Sequence, residues 1–590
     1  MIKGLSLVWK YFKKSTDKKL ATCLICQKEY RTSGNTSNLR DHLKRMHPNM
    51  ENENDRCSSG SSSILSSMRS IDSHFKRGAE YDPTSSRKKE IDKALARLIG
   101  VDLQPFSIVN HEGFRSYTKI LDPRYVLPSK TTLKNVHIQN MYEQCRSKLR
   151  DLLSAVEYLA ITTDCWTSAA TESYITVTCQ FIDPDFSMRT AVLSTMPLLE
   201  ATNHNADNIA KSLHDIFINY DILDKVTYIV TDNASNITKA CEILKKKNLP
   251  CLAHTLNLVV QNSLLQDKDN IHLAPLLQKC KTIVTFFKKS SNATELFKKA
   301  QNTETPLKLI QEVATRWNSS YMMIKRILET IDAISSVLMA NRKAPEPFTE
   351  EEMVTLKQVE KILSLFYTLT VRCSGNGLTI SLIIPLVNGL YRNLCEMETK
   401  IDNVTALRLC KSLKEGVVER LFPYEKRTAT KISTLLDPRF KKKAFISILN
   451  ANSAAMLLES EMNCIAPSVS ERPIENISQP GGDPLFQFLE DARNEEVTSR
   501  KVDNIITKRQ YLERPNLIQS ANILDFWKTS KDDFIPMKTV ALKYFCIPAT
   551  STESERTFSK CGVVSSERRN RLKPKNVDKI VFLNKNHWLS

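Results

Sequence analysis

Four residues in the first fifty constrain the fold of this chain more than any others. Cys23 and Cys26 are two residues apart, His42 and His47 four apart, and fifteen residues separate the pairs. Zinc takes four soft or borderline ligands in a tetrahedron: a C-x2-C turn aims two thiolates at one point, and histidines about one helical turn apart present two imidazoles. Gly34 and Asn35 supply a turn between the pairs, Thr36 or Ser37 can cap a helix, and Pro48 stops it after His47. Leu39, Leu43 and Met46 then fall on one packed face, leaving Ser37, Asn38, Arg40, Lys44 and Arg45 outward. The expectation is a ββα-type zinc finger over residues 1–50 that is unfolded without its metal.

The bland alternatives are two chance strings in a long chain, or a structural zinc site with no nucleic-acid role. Charge argues against both. Residues 1–50 hold eleven Lys/Arg and three Asp/Glu, a net +8 within a chain of net +19 and pI near 9.2. Such a surplus favours a polyanion, because each phosphate neutralised releases counterions. Base contacts are expected from the outward face of the Ser37–Arg45 helix, and phosphate contacts from Lys13, Lys14 and Lys18, with double-stranded DNA as partner.

Composition narrows the remainder. The fifteen cysteines are scattered, odd in number and include one close pair, the pattern of a reduced, intracellular protein. Lys3, Lys10, Lys13 and Lys14 interrupt any apolar leader, and no stretch approaches 18 apolar residues, so no membrane segment is expected. With only 13 glycines and no Gly-rich phosphate loop, a nucleotide cofactor is not expected either. A nuclear address fits, and Arg87-Lys88-Lys89, Lys441-Lys442-Lys443 and Arg568 to Lys575 could be import signals or merely solvated faces.

At 590 residues the chain should form several domains. After the finger, residues 51–88 read as a Ser-rich flexible linker and 89–155 as a helical domain. Short β-rich runs then appear at 159–164, 174–182 and 188–196, followed by a helix from about 206 to 222 and a strand ending at Asp232. This is the first part of a mixed α/β core, 156–265. Residues 266–463 are helical without clear strands, 464–484 read as a disordered joint of Pro and Gly, and 485–590 return to helix. The expected architecture is multidomain α/β, its core interrupted by a large all-helical insertion.

Asp164 and Asp232 each end an apolar β-run, and Glu555 opens a polar helix far along the chain. Carboxylates converging from separate segments are the usual device for holding Mg²⁺ or Mn²⁺ in phosphoryl transfer. By spacing alone they are as readily turn or cap residues. The words around them say more. Ile161-Thr-Thr-Asp164-Cys-Trp, Thr231-Asp232-Asn-Ala-Ser-Asn236, Cys251-Leu-Ala-His254, Thr315-Arg-Trp317-Asn-Ser and Ser554-Glu555-Arg-Thr-Phe558 resemble successive motifs of hAT-superfamily transposases. So does the ending Arg569-Asn-Arg-Leu-Lys-Pro-Lys-Asn-Val-Asp578, and Trp9 and Phe12 before Cys23 make the finger resemble the BED type.

That resemblance implies an RNase H-like core, a helical C-terminal dimerisation region, Asp164, Asp232 and Glu555 as a metal-binding catalytic triad, and Trp317 as a DNA-handling residue of the insertion. It implies self-association as well. Glu555 is preferred to Glu553 because it holds the Ser-Glu-Arg position, and the Cys251/His254 word belongs near the catalytic centre. The bland readings are a buried Cys–His pair and a packed core tryptophan. Two functions remain: a host DNA-binding protein that regulates transcription as a dimer, or an active transposase cutting and joining strands through the acidic triad. Whether the chain is an enzyme stays open, and a purely structural dimeric scaffold leaves the finger unexplained.

Overall fold

The computed structural model describes residues 7–15, 20–31, 36–47, 80–167, 173–198, 205–266, 271–313, 316–375, 378–465, 500–530, 534–564 and 572–589. The chain divides into two units, Met1–Ala79 and Glu80–Ser590. Residues 51–79 of the expected linker 51–88, residues 466–484 of the expected joint and the first three residues of the C-terminal word, Arg569–Arg571, lie outside the described residues.

In the first unit, β1 (Phe12–Lys14), β2 (Leu20–Cys23) and β3 (Glu29–Arg31) form an antiparallel sheet in that order, followed by helix α1 (Ser37–Met46). The register pairs Phe12 with Cys23 and Ala21 with Tyr30. Strand alternation therefore turns Phe12, Ala21 and Cys23 inward, where they meet Val8, Leu39 and Leu43. The expected ββα unit is β2-β3-α1, and β1 adds an edge strand that the aromatic-rich start of the chain did not announce. Two local expectations fail. Met46 is 55% exposed, because the helix ends there and nothing packs over its last turn. Thr36 is the N-cap residue but accepts no side-chain cap bond.

In the second unit the first helix, α2 (Ser86–Val101), starts inside the stretch read as linker, because the Ser85 side chain accepts from Lys88 N and caps it. After α3 (Ile138–Ser154) come β4 (Leu159–Thr167), β5 (Ser173–Ile182), β6 (Met188–Pro197), α4 (Ala206–Asn219), β7 (Val226–Thr231), α5 (Ser235–Ile243) and β8 (Lys247–Pro250). They make one five-stranded sheet of order β6-β5-β4-β7-β8. Neighbours are antiparallel from β6 to β4 and parallel from β4 to β8. This is the RNase H-like core. β8 escaped the sequence reading because Lys247-Asn-Leu-Pro250 offers only one branched or apolar residue before the proline.

The sheet is covered on both sides, so all ten residues of β5 are buried. Period-2 alternation sends Leu159, Ile161 and Ile229 into one core with α3 and α4, and Ala160, Tyr228 and Val230 into the other. The second core continues into the helical block, which begins with α6 (Leu252–Gln261) and includes α7 (Trp317–Glu329), α8 (Glu350–Cys373) and α9 (Ile383–Glu398). A full capping box, Thr349 with Glu352, starts α8. The chain returns through α10 (Thr552–Val564), which packs on β4 and β5, and α11 (Pro574–Lys585), which packs on β6. One import-signal candidate is excluded here: Lys441 is 3% exposed, its Nζ donates to the carbonyls of Tyr511 and Arg514, and burial lowers its pKa to about 8.

Candidate functional site

The finger's ligand atoms meet as zinc requires. Cys23, Cys26, His42 and His47 each offer one atom within 4.8 Å of the others. Cys23 Sγ lies 3.7 Å from His47 Nε2, and Cys26 Sγ lies 3.3 Å from His42 Nε2. A tetrahedral ion with ordinary zinc–sulfur and zinc–nitrogen bonds sets such edges at about 3.6 Å. The knuckle is shaped by backbone: Cys23 N donates to Lys28 O, Gln27 N donates to Cys23 O, and Gln27 adopts φ 58° to close the turn. The Tyr30 hydroxyl lies 2.8 Å from His42 Nδ1, which leaves Nε2 toward the metal. Burial, then the neighbouring His47 and Lys28, lower the His42 pKa and favour the neutral, ligating imidazole. The residues fit a structural Cys2His2 zinc. Tyr30 was missed as a supporting residue; its place between the two ligand pairs was the available signal.

Around that core, Asn38, Arg40 and Arg45 of α1 are exposed. The side chains of Ser37 and Lys44 lie outside the described residues, although both positions fall on the helix. Lys13 and Lys14 of β1 are also exposed, and Lys14 Nζ sits 4.0 Å from the Trp9 ring centroid, a cation–π contact that steadies its charge. Lys18 is outside the described residues.

The acidic residues come together at one end of the body's sheet. Parallel pairing of β4 and β7 runs to Thr162 and Val230, and Asp164 and Asp232 each stand two residues further on. Equal spacing puts both side chains on the same face of strands about 4.8 Å apart. Asp164 does not end its strand as expected: β4 runs on to Thr167, held by β5, with Asp164 opposite Thr176. Asp232 Oδ1 accepts from Ala234 N, and Asn233 adopts φ 71°, so the two together shape the turn into α5. Glu555 arrives on the first turn of α10.

Two sets of contacts fix α10 there. The thiol of buried Cys251 accepts from Ser551 N at 3.2 Å, and Leu252 N donates to Ala549 O at 3.0 Å. Trp166 of β4 stacks on Tyr174, centroids 4.6 Å apart, and meets Phe558 of α10 at 4.7 Å. Glu553, the competing carboxylate, is taken up by Lys585 at 2.6 Å and Arg556 at 3.3 Å.

Electrostatics show that the three acids feel one another. Burial, then Glu555 and Asp232, push Asp164 up to about 7. Partial dehydration raises Glu555, although the residue is exposed; Asp232 adds to the rise, and His254 and Arg316 oppose it. None of the three forms a salt bridge among the described residues. Such a cluster of carboxylates fits a divalent cation that would offset their repulsion, but it is looser than the finger: only the finger's ligands form a group within 4.8 Å among the described residues. His254 lies near Glu555, where the resemblance puts the Cys251/His254 word, whereas nothing in the sequence singled out Arg316, which the fold also turns toward Glu555.

Trp317 is corrected. It is 3% exposed and belongs to the helical core, so its ring is not offered to DNA; its amphipathic helix turns it inward, and Arg316 before it faces the acidic site.

A basic Cys2His2 finger, with an RNase H-like sheet interrupted by helices, defines the class: a zinc-finger protein with a transposase-type body. Four family models agree with that class: a BED zinc finger over residues 6–48, a ZBED1 RNase-like domain over 162–257, its helical domain over 249–362 and a hAT family C-terminal dimerisation region over 507–587. Human (Homo sapiens) zinc finger BED domain-containing protein 4 is 25% identical over 99% of this chain and 52% of its own length. A Zea mays protein named as an AC transposase is 24% identical over 94% of this chain and 71% of its own. Rice (Oryza sativa subsp. japonica) zinc finger BED domain-containing protein RICESLEEPER 3 is 22% identical over 97% of this chain and 82% of its own. The chain thus spans about half the length of the first of these relatives. The chain carries regions that match a BED zinc finger and a hAT family C-terminal dimerisation region, and it is similar over most of its length to zinc finger BED domain-containing proteins and to a protein named as an AC transposase.

Proposed function

We propose that this protein binds double-stranded DNA in the nucleus through its zinc finger and regulates transcription as a dimer. The observation that supports this most is the division of α1: Leu39, His42 and Leu43 face inward while Asn38, Arg40 and Arg45 face solvent. A helix so divided can lay its polar face in the major groove, with Lys13 and Lys14 on phosphates. The matched dimerisation region supports self-association, which would place two fingers on one DNA. Selection of bound fragments from random duplexes, followed by Arg40→Ala and Arg45→Ala, tests the reading. Binding unaffected by both substitutions would exclude α1 as the contact face.

A second reading is favoured by one observation, the unpaired convergence of Asp164, Asp232 and Glu555. In it the chain is an active transposase. The three carboxylates would hold Mg²⁺ or Mn²⁺, which supplies Lewis-acid activation when bound. Asp232 holds the turn beside the site through Ala234, and Trp166 and Phe558 keep Glu555 in reach of β4. The test incubates the full chain with a transposon-end duplex and Mn²⁺. Cleavage lost in Asp232→Asn establishes the enzyme; tight binding without cleavage leaves the regulator.

A further inference from the structure

Helix α9 carries a glycine, Gly389, in its interior, where glycine costs about 1 kcal/mol relative to alanine. Interior glycines usually admit a close neighbour, but a Cβ added at Gly389 would meet nothing within 4 Å. Packing therefore does not require it. Instead Gly389 and Pro385 are shared by two recesses, of about 320 and 300 Å³, that adjoin across the helix.

The first recess is cationic. Arg392, Arg439 and Lys443 line it with Asn388 and Asn516, and no acidic residue lines it among those described. Its groups are held in place. Buried Asp437 grips Arg439 through two bonds, Nε to Oδ1 at 2.9 Å and Nη2 to Oδ2 at 2.7 Å, fixing the guanidinium plane. Asn516 donates to the carbonyls of Arg439 and Phe440. Asn388, 8% exposed, donates to Ala444 O and accepts from Arg392 Nε at 3.0 Å, leaving the two terminal amino groups of Arg392 to point elsewhere. Three cations against one buried carboxylate leave an excess of two charges. By contrast a cavity of about 940 Å³ elsewhere in the helical block is lined by both signs, with Lys279 and Glu352 paired at 2.7 Å in its wall. The second recess is mainly apolar, lined by Leu365, Leu369, Leu386 and Leu390, with Thr368, Arg372, Asn393 and Gln519 as its polar groups.

We propose that these joined recesses bind one nucleotide unit, its phosphate on Arg392, Arg439 and Lys443 and its nucleoside across Gly389 among the leucines. Paired guanidiniums with an ammonium are the donor set that a phosphate accepts best, and an apolar floor with amides at its rim suits a base. The unit can be a free nucleotide or one residue of a single DNA strand. The site is separate from the finger and the acidic cluster, so it stands or falls independently of both.

The test uses the full chain carrying Cys23→Ser, so that the finger contributes nothing, and measures binding of dAMP, deoxyadenosine, inorganic phosphate and a single-stranded dT oligomer. Binding of dAMP or of the oligomer is expected, weakened about tenfold or more by Arg392→Ala or Lys443→Ala. Gly389→Glu, whose Cβ the structure has room for, is expected to abolish it without lowering the temperature of thermal unfolding. Binding of dAMP assigns a free nucleotide; binding of the oligomer alone assigns a strand. Failure of both probes, equal affinity for inorganic phosphate, or binding indifferent to Gly389→Glu and Arg392→Ala would each overturn the proposal. Loss of duplex binding in Cys23→Ser alone reports on the finger and leaves this site untouched.

Discussion

In the finger, five apolar residues among those described pack with Cys23 in the core, and four ligands from neighbouring segments converge within 4.8 Å. In the body, two extensive cores cover both faces of a five-stranded sheet, and three carboxylates from strands and a distant helix converge more loosely. The contrast is between a fold made by its site and a site made by its fold. A unit of the finger's size cannot bury enough surface to hold itself, so the metal supplies its stability. The body has stability to spare and can tolerate the repulsion among Asp164, Asp232 and Glu555.

The largest expected effect falls on the finger. Cys23→Ser, or a chelator, should unfold residues 7–47 and remove the finger's DNA binding, while the thermal transition of the body is unchanged; zinc analysis and calorimetry on the same sample read both. A body that also melted early would break the contrast. Next, Trp166→Ala should cost the body about 3–5 kcal/mol, since the buried ring joins β4 to α10, and the change should appear in denaturant unfolding.

A third expectation concerns pH. Asp164 titrates near 3.8 when unfolded but near 7 in the fold, so the folded state prefers it protonated. That preference is fully present below pH 4 and is lost as pH rises through 7. Asp164→Asn should therefore raise the body's melting temperature at pH 8 more than at pH 5, and should remove any stabilisation by Mn²⁺. An equal effect at both pH values would show that repulsion at the site is negligible.

Smaller effects sharpen the finger's half of the comparison. Tyr30→Phe removes the partner of His42 Nδ1 and should weaken zinc about 10- to 100-fold in a competition titration. Gln27→Gly, at φ 58°, should stabilise the zinc-bound finger by about 0.5–1 kcal/mol. A loss of stability there would mean that the glutamine side chain contributes more than its backbone strain costs.

The zinc ligands were legible because they sit on local turns and one short helix, whose spacing follows from chain geometry. The sheet's first four strands were legible because β-rich runs such as Tyr174–Ile182 leave a composition signal. Where such signals are short or ambiguous the reading failed. Lys247–Pro250 is too polar to announce a strand, and Trp317 in isolation could face a core or a ligand.

The amino-acid sequence by itself thus determined the metal, its four ligands and the excess of positive charge, because those depend on residue type and near spacing. Only tertiary structure decided how Asp164, Asp232 and Glu555 are brought together, that Glu553 is tied to Lys585 while Glu555 is not, and that Arg316 lies toward Glu555. The physical reason is range. A metal knuckle closes over a few residues, whereas the acidic site exists only after β4 and β7 pair and α10 is pinned by Cys251, Trp166 and Phe558.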